Sequence, residues 1–111
     1  MKQKETRYLT GAVHVLNGTY KDAVLVLQPG EELVIGRDVN VCQLILEAPW
    51  VSRRHCIIAY NRETGFYDVT DVSENGTFAM DAERLPKGER TQLESGTVLV
   101  IGTDGIRILL L

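Results

Sequence analysis

The chain has 111 residues, of which 44% are hydrophobic and 24% are charged, and its formal net charge is -3 at pH 7. These values are typical of one soluble globular domain whose core is large enough to fold without disulfides or metals. The negative charge disfavours bulk attraction to nucleic acid, and no segment approaches the roughly 20 apolar residues of a transmembrane helix.

The cysteines and the N-terminus predict the setting of the protein. Cys42 and Cys56 have no CxxC spacing and no neighbouring histidine pair, so neither a metal nor a cofactor is expected. Two small buried thiols are the favoured interpretation, with a disulfide as the alternative. The polar N-terminus lacks the apolar segment of a signal peptide. We therefore expect a cytoplasmic, monomeric protein without nucleic-acid or membrane partners.

Short apolar runs punctuated by Gly, Pro and Asn predict a series of strands. Residues 1–8 are expected to form a disordered tail and residues 9–111 a single domain. In chain order, the predicted strands cover 11–16, 23–27, 33–35, 44–46, 56–60, 66–71, 77–80, 97–101 and 106–110. Their spacing of about 8–12 residues, without helical periodicity, predicts a β-sandwich or barrel of ten or eleven strands.

Gly36 and Arg37 follow the third predicted strand. Glycine lets the backbone leave a strand at an unusual angle. The guanidinium of Arg37 can then form a bidentate pair with a phosphate or carboxylate. The alternative is a surface arginine paired with the neighbouring Asp38, since exposed ion pairs are common and weak.

The segment Ser52-Arg53-Arg54-His55 concentrates polar groups just before a buried strand. A serine nucleophile with a histidine base is one interpretation, but Ser52 lacks the Gly-x-Ser-x-Gly context that would support it. An anion site is the other interpretation, in which Ser52 donates a hydrogen bond and Arg53 adds charge. His55 would then brace the loop, and no residue is assigned as catalytic.

The segment Asn75-Gly76-Thr77 is first of all a turn signal, because asparagine tolerates and glycine prefers left-handed backbone geometry. It also matches the N-glycosylation sequon, which carries little weight without a secretory signal. In the functional interpretation, the amide of Asn75 offers a donor and an acceptor to the backbone of an extended peptide.

Together these three segments, in this order and spacing, resemble the forkhead-associated (FHA) domain over about residues 11–111. The resemblance implies an eleven-stranded β-sandwich of two antiparallel or mixed sheets whose loops bind phosphothreonine. It implies phosphopeptide binding by four residues: Arg37, Ser52, Arg53 and Asn75. It implies structural support of the binding loops by four others: Gly36, His55, Gly76 and Thr77.

Glu74 departs from the family pattern, in which the residue before the asparagine is often small, polar or basic. A carboxylate directed at a phosphate would weaken binding by repulsion between like charges. We expect Glu74 to point to solvent, toward Arg54, and otherwise to act as a modulator that weakens the site.

The resemblance predicts a phosphothreonine-dependent module in serine/threonine kinase signalling or regulated assembly, and not an enzyme. The alternative is a scaffold domain with the same sandwich that binds its partners without phosphate. A hydrolase that uses Ser52 and His55 is a third hypothesis, tested by active-site labelling.

Overall fold

Alternating burial along successive segments builds strands, and no helix occurs in the part of the chain that the structure describes. The structure is a computed structural model that describes residues 10–80, 83–102 and 105–111. Its strands are β1 (Gly11–Val15), β2 (Val24–Leu27), β3 (Glu32–Gly36), β4 (Leu44–Ile45), β5 (Cys56–Asn61), β6 (Phe66–Asp71), β7 (Thr77–Ala79), β8 (Arg90–Leu93), β9 (Val98–Ile101) and β10 (Ile106–Leu110). Along β6, odd-numbered residues are buried and even-numbered ones are partly exposed, which confirms the predicted alternation.

The described strands form two five-stranded sheets, in the orders β2-β1-β10-β9-β7 and β4-β3-β5-β6-β8. Neighbouring strands are antiparallel except for the short parallel pair β3–β4. The predicted β-sandwich is confirmed, with ten strands in the described residues where the resemblance implied eleven. Phe78 and Arg84 meet in an isolated bridge outside the ten strands.

One apolar core lies between the inward faces of the two sheets. Val13, Leu99 and Ile108 enter it from one sheet, and Ile58 and Val69 enter it from the other; none of these five side chains is exposed. Each such side chain contributes about 1.5–3 kcal/mol by its removal from water. The burial of alternate strand residues thus fixes which face of each sheet points inward.

Both cysteines are free and buried, in agreement with the favoured interpretation of the sequence. Burial raises the pKa of Cys56 to about 12. The predicted tail at residues 1–8 lies outside the described residues, so the boundary between tail and domain stays a prediction. Among the described residues, no helix has the length and apolarity needed to cross a bilayer.

Strand register brings several loops to one end of the sandwich. In one sheet, Cys56 at the start of β5 pairs with Ile35 near the end of β3 and with Asp71 at the end of β6. In the other sheet, Ile101 at the end of β9 pairs with both Thr77 and Ile106, where β7 and β10 begin. The segments that follow β3, precede β5 and follow β6 therefore lie side by side.

Tyr67 ties the two sheets together through its hydroxyl group. The tyrosine belongs to β6, but its hydroxyl accepts a hydrogen bond from the N–H of Ala12, in β1 of the opposite sheet, at 3.0 Å. The hydroxyl also lies 2.6 Å from the carbonyl oxygen of Leu111, the residue that follows β10. A phenylalanine would fill the same space and leave these backbone groups without their partner.

We expect Tyr67→Phe to lower the free energy of unfolding by about 1–3 kcal/mol, the cost of leaving buried polar groups unpaired. Urea unfolding followed by circular dichroism measures this change. The matched control is Tyr20→Phe, because the Tyr20 side chain is 45% exposed and its change should stay within about 0.5 kcal/mol. Equal stability of the two variants would contradict the role assigned to the Tyr67 hydroxyl.

Candidate functional site

Three loops meet at the end of the sandwich where the predicted site residues lie. We call residues 37–43 the first loop, residues 46–55 the second loop and residues 72–76 the third loop. The first follows β3, the second connects β4 to β5, and the third connects β6 to β7. All the predicted site residues lie in these loops or at the first or last position of an adjoining strand.

The first loop is bound tightly to the second. The backbone N–H of Arg37 lies 3.0 Å from the carbonyl oxygens of both Ser52 and Arg53. A Cβ atom at Gly36 would overlap the Arg53 carbonyl, so only glycine permits this approach. The Nε–H of Arg37 donates to the Val51 carbonyl at 2.9 Å. This bond fixes the side chain, and within the described residues its two terminal nitrogens have no partner.

Ser52 links the second loop to the third. Its Oγ accepts a hydrogen bond from the backbone N–H of Glu74 at 3.0 Å. Because the hydroxyl acts as the acceptor in this contact, its own proton remains available for a ligand. The loop backbone therefore positions an O–H donor next to the guanidinium-bearing first loop.

His55 is completely buried, and its ring joins the second loop to the third. Its Nδ1 accepts the backbone N–H of Ser52 at 3.1 Å, and its Nε2–H donates to the Gly76 carbonyl at 2.8 Å. These partners require a neutral ring protonated at Nε2. Burial lowers the pKa of His55, and the hydrogen bond to Gly76 only partly offsets that effect.

The contacts of His55 exclude the Ser–His pairing of the hydrolase hypothesis. The histidine contacts the backbone N–H of Ser52 and not its hydroxyl. Its other ring nitrogen is occupied by the Gly76 carbonyl, so no lone pair is free to accept the proton of Ser52 Oγ. The geometry is that of a loop brace.

Asn75 and Gly76 shape the third loop. The exposed Asn75 donates from Nδ2 to the Trp50 carbonyl at 2.9 Å, while its Oδ1 has no partner among the described residues. Gly76 adopts a φ of 103°, a conformation that side chains other than glycine strain to reach. Its N–H donates to the Ser73 hydroxyl at 2.8 Å. The amide of Asn75 is thus held beside the second loop with its oxygen free.

Three exposed charged residues complete this surface, namely Arg53, Arg54 and Glu74. Within the described residues, none of them belongs to an ion pair. Glu74 is exposed, and it forms no ion pair with Arg54 in the part of the chain that the structure describes. The backbone N–H of Glu74 donates to Ser52 Oγ, so the main chain of Glu74 shapes the site independently of its carboxylate.

The comparisons agree with the family that the three segments indicate. The family model described as the FHA domain matches residues 33–102, more than half of the chain. The chain belongs to the FHA domain family. Over 93 residues it is 33% identical to a probable serine/threonine-protein kinase, fhkC, of Dictyostelium discoideum. That match covers 79% of this chain and only 15% of the kinase.

Solved structures of FHA domains share the fold. The FHA domain of the CT664 protein from Chlamydia trachomatis superposes with a TM-score of 0.78 at 22% identity, over 92% of this chain and 96% of that one. The MEK1 FHA domain in complex with a HOP1 pThr peptide superposes with a TM-score of 0.75 at 20% identity, over 91% and 94% of the respective chains. FHA domains are binding modules.

In this FHA domain, a buried carboxylate holds the third loop from beneath. Asp71 Oδ1 accepts hydrogen bonds from the Ser73 hydroxyl at 2.6 Å, the Ser73 N–H at 3.1 Å and the Thr77 hydroxyl at 3.0 Å. Burial alone would raise the pKa of Asp71, but the bonds from Ser73, Arg84 and Thr77 outweigh it and lower the pKa. Thr77 therefore supports the loop from below.

Arg84 completes this support and was not anticipated from the sequence. Its Nε and Nη2 donate to Asp71 Oδ2 at 3.1 and 3.0 Å, and Nη2 also donates to the Ser73 carbonyl at 2.8 Å. The Asp71-Val72-Ser73 spacing is a recognisable local hydrogen-bonding pattern that could have indicated Asp71. No local pattern indicates Arg84, which lies 13 residues further along the chain.

The first prediction for this site concerns the pH dependence of stability. Because the pKa of His55 is lowered in the folded protein, the unfolded chain takes up a proton at this residue more readily. The stabilising contribution of neutral His55 is thus complete above about pH 6.5 and is lost as the pH falls through the lower pKa of the folded state. The resulting slope is at most about 1.4 kcal/mol per pH unit.

We expect His55→Ala to lower the free energy of unfolding by about 1–3 kcal/mol at pH 7.5, because the substitution leaves buried backbone groups unpaired. Its free energy of unfolding should also fall less steeply than that of the wild type between about pH 6.5 and pH 5. Urea unfolding across this range measures both effects. His14→Ala is the control, because the partly exposed His14 side chain has Asp22 as its one hydrogen-bond partner among the described residues. An unchanged pH slope in His55→Ala would contradict the brace.

The second prediction for this site concerns Arg84. We expect Arg84→Gln to destabilise the domain by about 1–3 kcal/mol, because Asp71 would keep its buried charge and lose two hydrogen bonds. The matched control is Arg90→Gln, which removes an arginine with a 68% exposed side chain, 3.7 Å from Asp68; that pair is worth at most about 1 kcal/mol. Thermal unfolding compares the two variants, and equal losses would argue against the support role.

Proposed function

We propose that this FHA domain binds phosphothreonine in a partner protein through Arg37, Ser52, Arg53 and Asn75. This proposal rests on one observation. The loops that hold these residues are hydrogen-bonded to one another, while the polar ends of the four side chains keep atoms without a partner in the described residues. Two terminal nitrogens of Arg37, the Ser52 hydroxyl proton and the Asn75 amide oxygen are all available. Such a preorganised set of donors and charge suits an anion on an extended peptide.

The phosphate provides the main attraction in this proposal. It carries about -1.5 to -2 charges near neutral pH. Charge-assisted hydrogen bonds from Arg37, Ser52 and Arg53 are each worth roughly 1.5–3 kcal/mol net. The entropy lost in ordering the peptide offsets part of this sum. We therefore expect a dissociation constant near one micromolar, which corresponds to a binding free energy of about -8 kcal/mol. Because the donors are held by backbone contacts, little further ordering of the domain is required.

Asn75 and the threonine methyl group supply the remaining recognition. The Oδ1 atom of Asn75 accepts a backbone N–H of the partner, which aligns the peptide across the second and third loops. Burial of the threonine γ-methyl favours threonine over serine by roughly 0.8 kcal/mol. Stronger selectivity requires that the methyl also fix the rotamer of the phosphorylated side chain.

We place this binding in serine/threonine kinase signalling or regulated assembly, with the domain acting as a cytoplasmic monomer and not as an enzyme. The similar Dictyostelium protein is described as a probable serine/threonine-protein kinase, although this chain spans only 15% of it. The similar MEK1 FHA domain was solved with a pThr peptide. The pThr complex supports phosphate-dependent recognition over a scaffold that binds without phosphate, and the kinase description supports the signalling setting.

We expect Arg37→Ala to weaken phosphothreonine binding at least about tenfold, because it removes a charge-assisted bond worth roughly 1.5–3 kcal/mol. Ser52→Ala should weaken binding less. Fluorescence anisotropy with a phosphothreonine peptide library and its unphosphorylated counterpart measures both effects. Arg62→Ala is the control, since Arg62 is an exposed arginine in the turn between β5 and β6. Equal binding of both libraries would support the phosphate-independent scaffold instead.

A further inference from the structure

A groove of about 400 Å³ opens beside the second loop, outside the residues proposed to hold phosphate. We call it the lateral groove. The loop after β1, the second loop and the start of β10 each contribute to its walls. Among its lining residues are Tyr20, Leu46, Glu47, Ala48, Trp50 and Ile106. Four of them give the groove apolar walls, Tyr20 adds an exposed aromatic residue, and Glu47 adds a carboxylate.

The lateral groove is continuous with the proposed phosphate site through Trp50. The backbone carbonyl of Trp50 accepts the hydrogen bond from Asn75, while its indole ring lines the groove and packs against the core. Ser52 follows Trp50 by two residues, which limits the separation of their Cα atoms to about 7 Å. An extended peptide that crosses Ser52 and Asn75 therefore passes close to the groove.

Charge distinguishes the lateral groove from the phosphate site. Arg37 and Arg53 make the phosphate site cationic, whereas no basic side chain lines the groove among the described residues. Glu47 is exposed and forms no ion pair in that part of the chain. Tyr20 is 45% exposed, so its ring is open to a ligand. A groove that combines a carboxylate, an exposed aromatic ring and apolar walls suits a cation on a long aliphatic stem.

We propose that the lateral groove binds a lysine or arginine side chain of the phosphothreonine-bearing partner. The aliphatic stem packs along Trp50 and Leu46, and the charged end lies between the Glu47 carboxylate and the Tyr20 ring. Because one peptide crosses both places, the basic residue lies within about four residues of the phosphothreonine in an extended chain, which advances about 3.3 Å per residue. This inference rests on the proposed function and adds a sequence preference to it.

The experiment uses synthetic phosphothreonine peptides on an alanine-rich background, with one lysine placed in turn at each of about four positions on either side. Fluorescence anisotropy gives the affinity of each peptide for the wild-type domain. We expect lysine at one or two neighbouring positions to tighten binding by about threefold to tenfold over alanine, the combined effect of a solvated ion pair and a cation–π contact. Glutamate at the same position should weaken binding.

Two groove variants and one control connect this preference to the groove. In Glu47→Gln and in Tyr20→Ala, the advantage of the lysine peptide over the alanine peptide should shrink to less than about twofold. The control is Glu63→Gln, which removes an exposed carboxylate from the turn between β5 and β6, at the far end of the sandwich. It should retain the full advantage of lysine.

The outcomes separate this inference from the proposed function. If phosphorylated peptides bind and lysine gives no advantage at any position, the lateral groove inference is wrong while the phosphate site stands. A lysine advantage that persists in both groove variants, or that disappears equally in Glu63→Gln, also overturns it. If no phosphorylated peptide binds better than its unphosphorylated form, the proposed function itself fails.

Discussion

The arrangement of the loops depends on the two hydrogen bonds of the buried His55 imidazole. Its two ring nitrogens pair with the Ser52 N–H and the Gly76 carbonyl, so one side chain connects the second and third loops. Since neither loop has regular hydrogen bonding of its own, their backbone groups need such a partner inside the protein. A neutral ring suits this position because a buried charge would be costly. The Gly102 N–H also donates to the Gly76 carbonyl, which extends the connection to the other sheet.

Support and recognition are divided between buried and exposed side chains. Asp71 and Thr77 are buried beneath the third loop, where their hydrogen bonds are satisfied within the protein. Arg37 and Asn75 are exposed, and one side-chain nitrogen of each donates a hydrogen bond to a backbone carbonyl of the second loop. This first bond orients the side chain, and the remaining polar atoms then face solvent without further ordering. The division explains how a small sandwich can offer fixed donors to a ligand while the buried polar groups of Asp71 and Thr77 remain paired.

Much of the fold was predictable because burial alternates with the period of a strand. The bounds of β6 and β10 coincide with the predicted strands, and the loop segments around Gly36 and Ser52 fell where they were expected. β8, at Arg90–Leu93, was not anticipated, because it is an edge strand with two exposed and two partly buried residues and no run of apolar side chains. Its strand conformation comes from pairing with β6, a partner that local sequence does not reveal.

The linear chain already specified the all-β class, the order of the three polar segments and their resemblance to the FHA family. Those features depend on residue type and spacing, which are local properties of the chain. The folded structure was needed to show that His55 pairs with backbone and not with the Ser52 hydroxyl, that Arg84 supports Asp71, and that a groove opens beside Trp50. These features depend on contacts between distant segments, and strand register sets those contacts once the two sheets have packed.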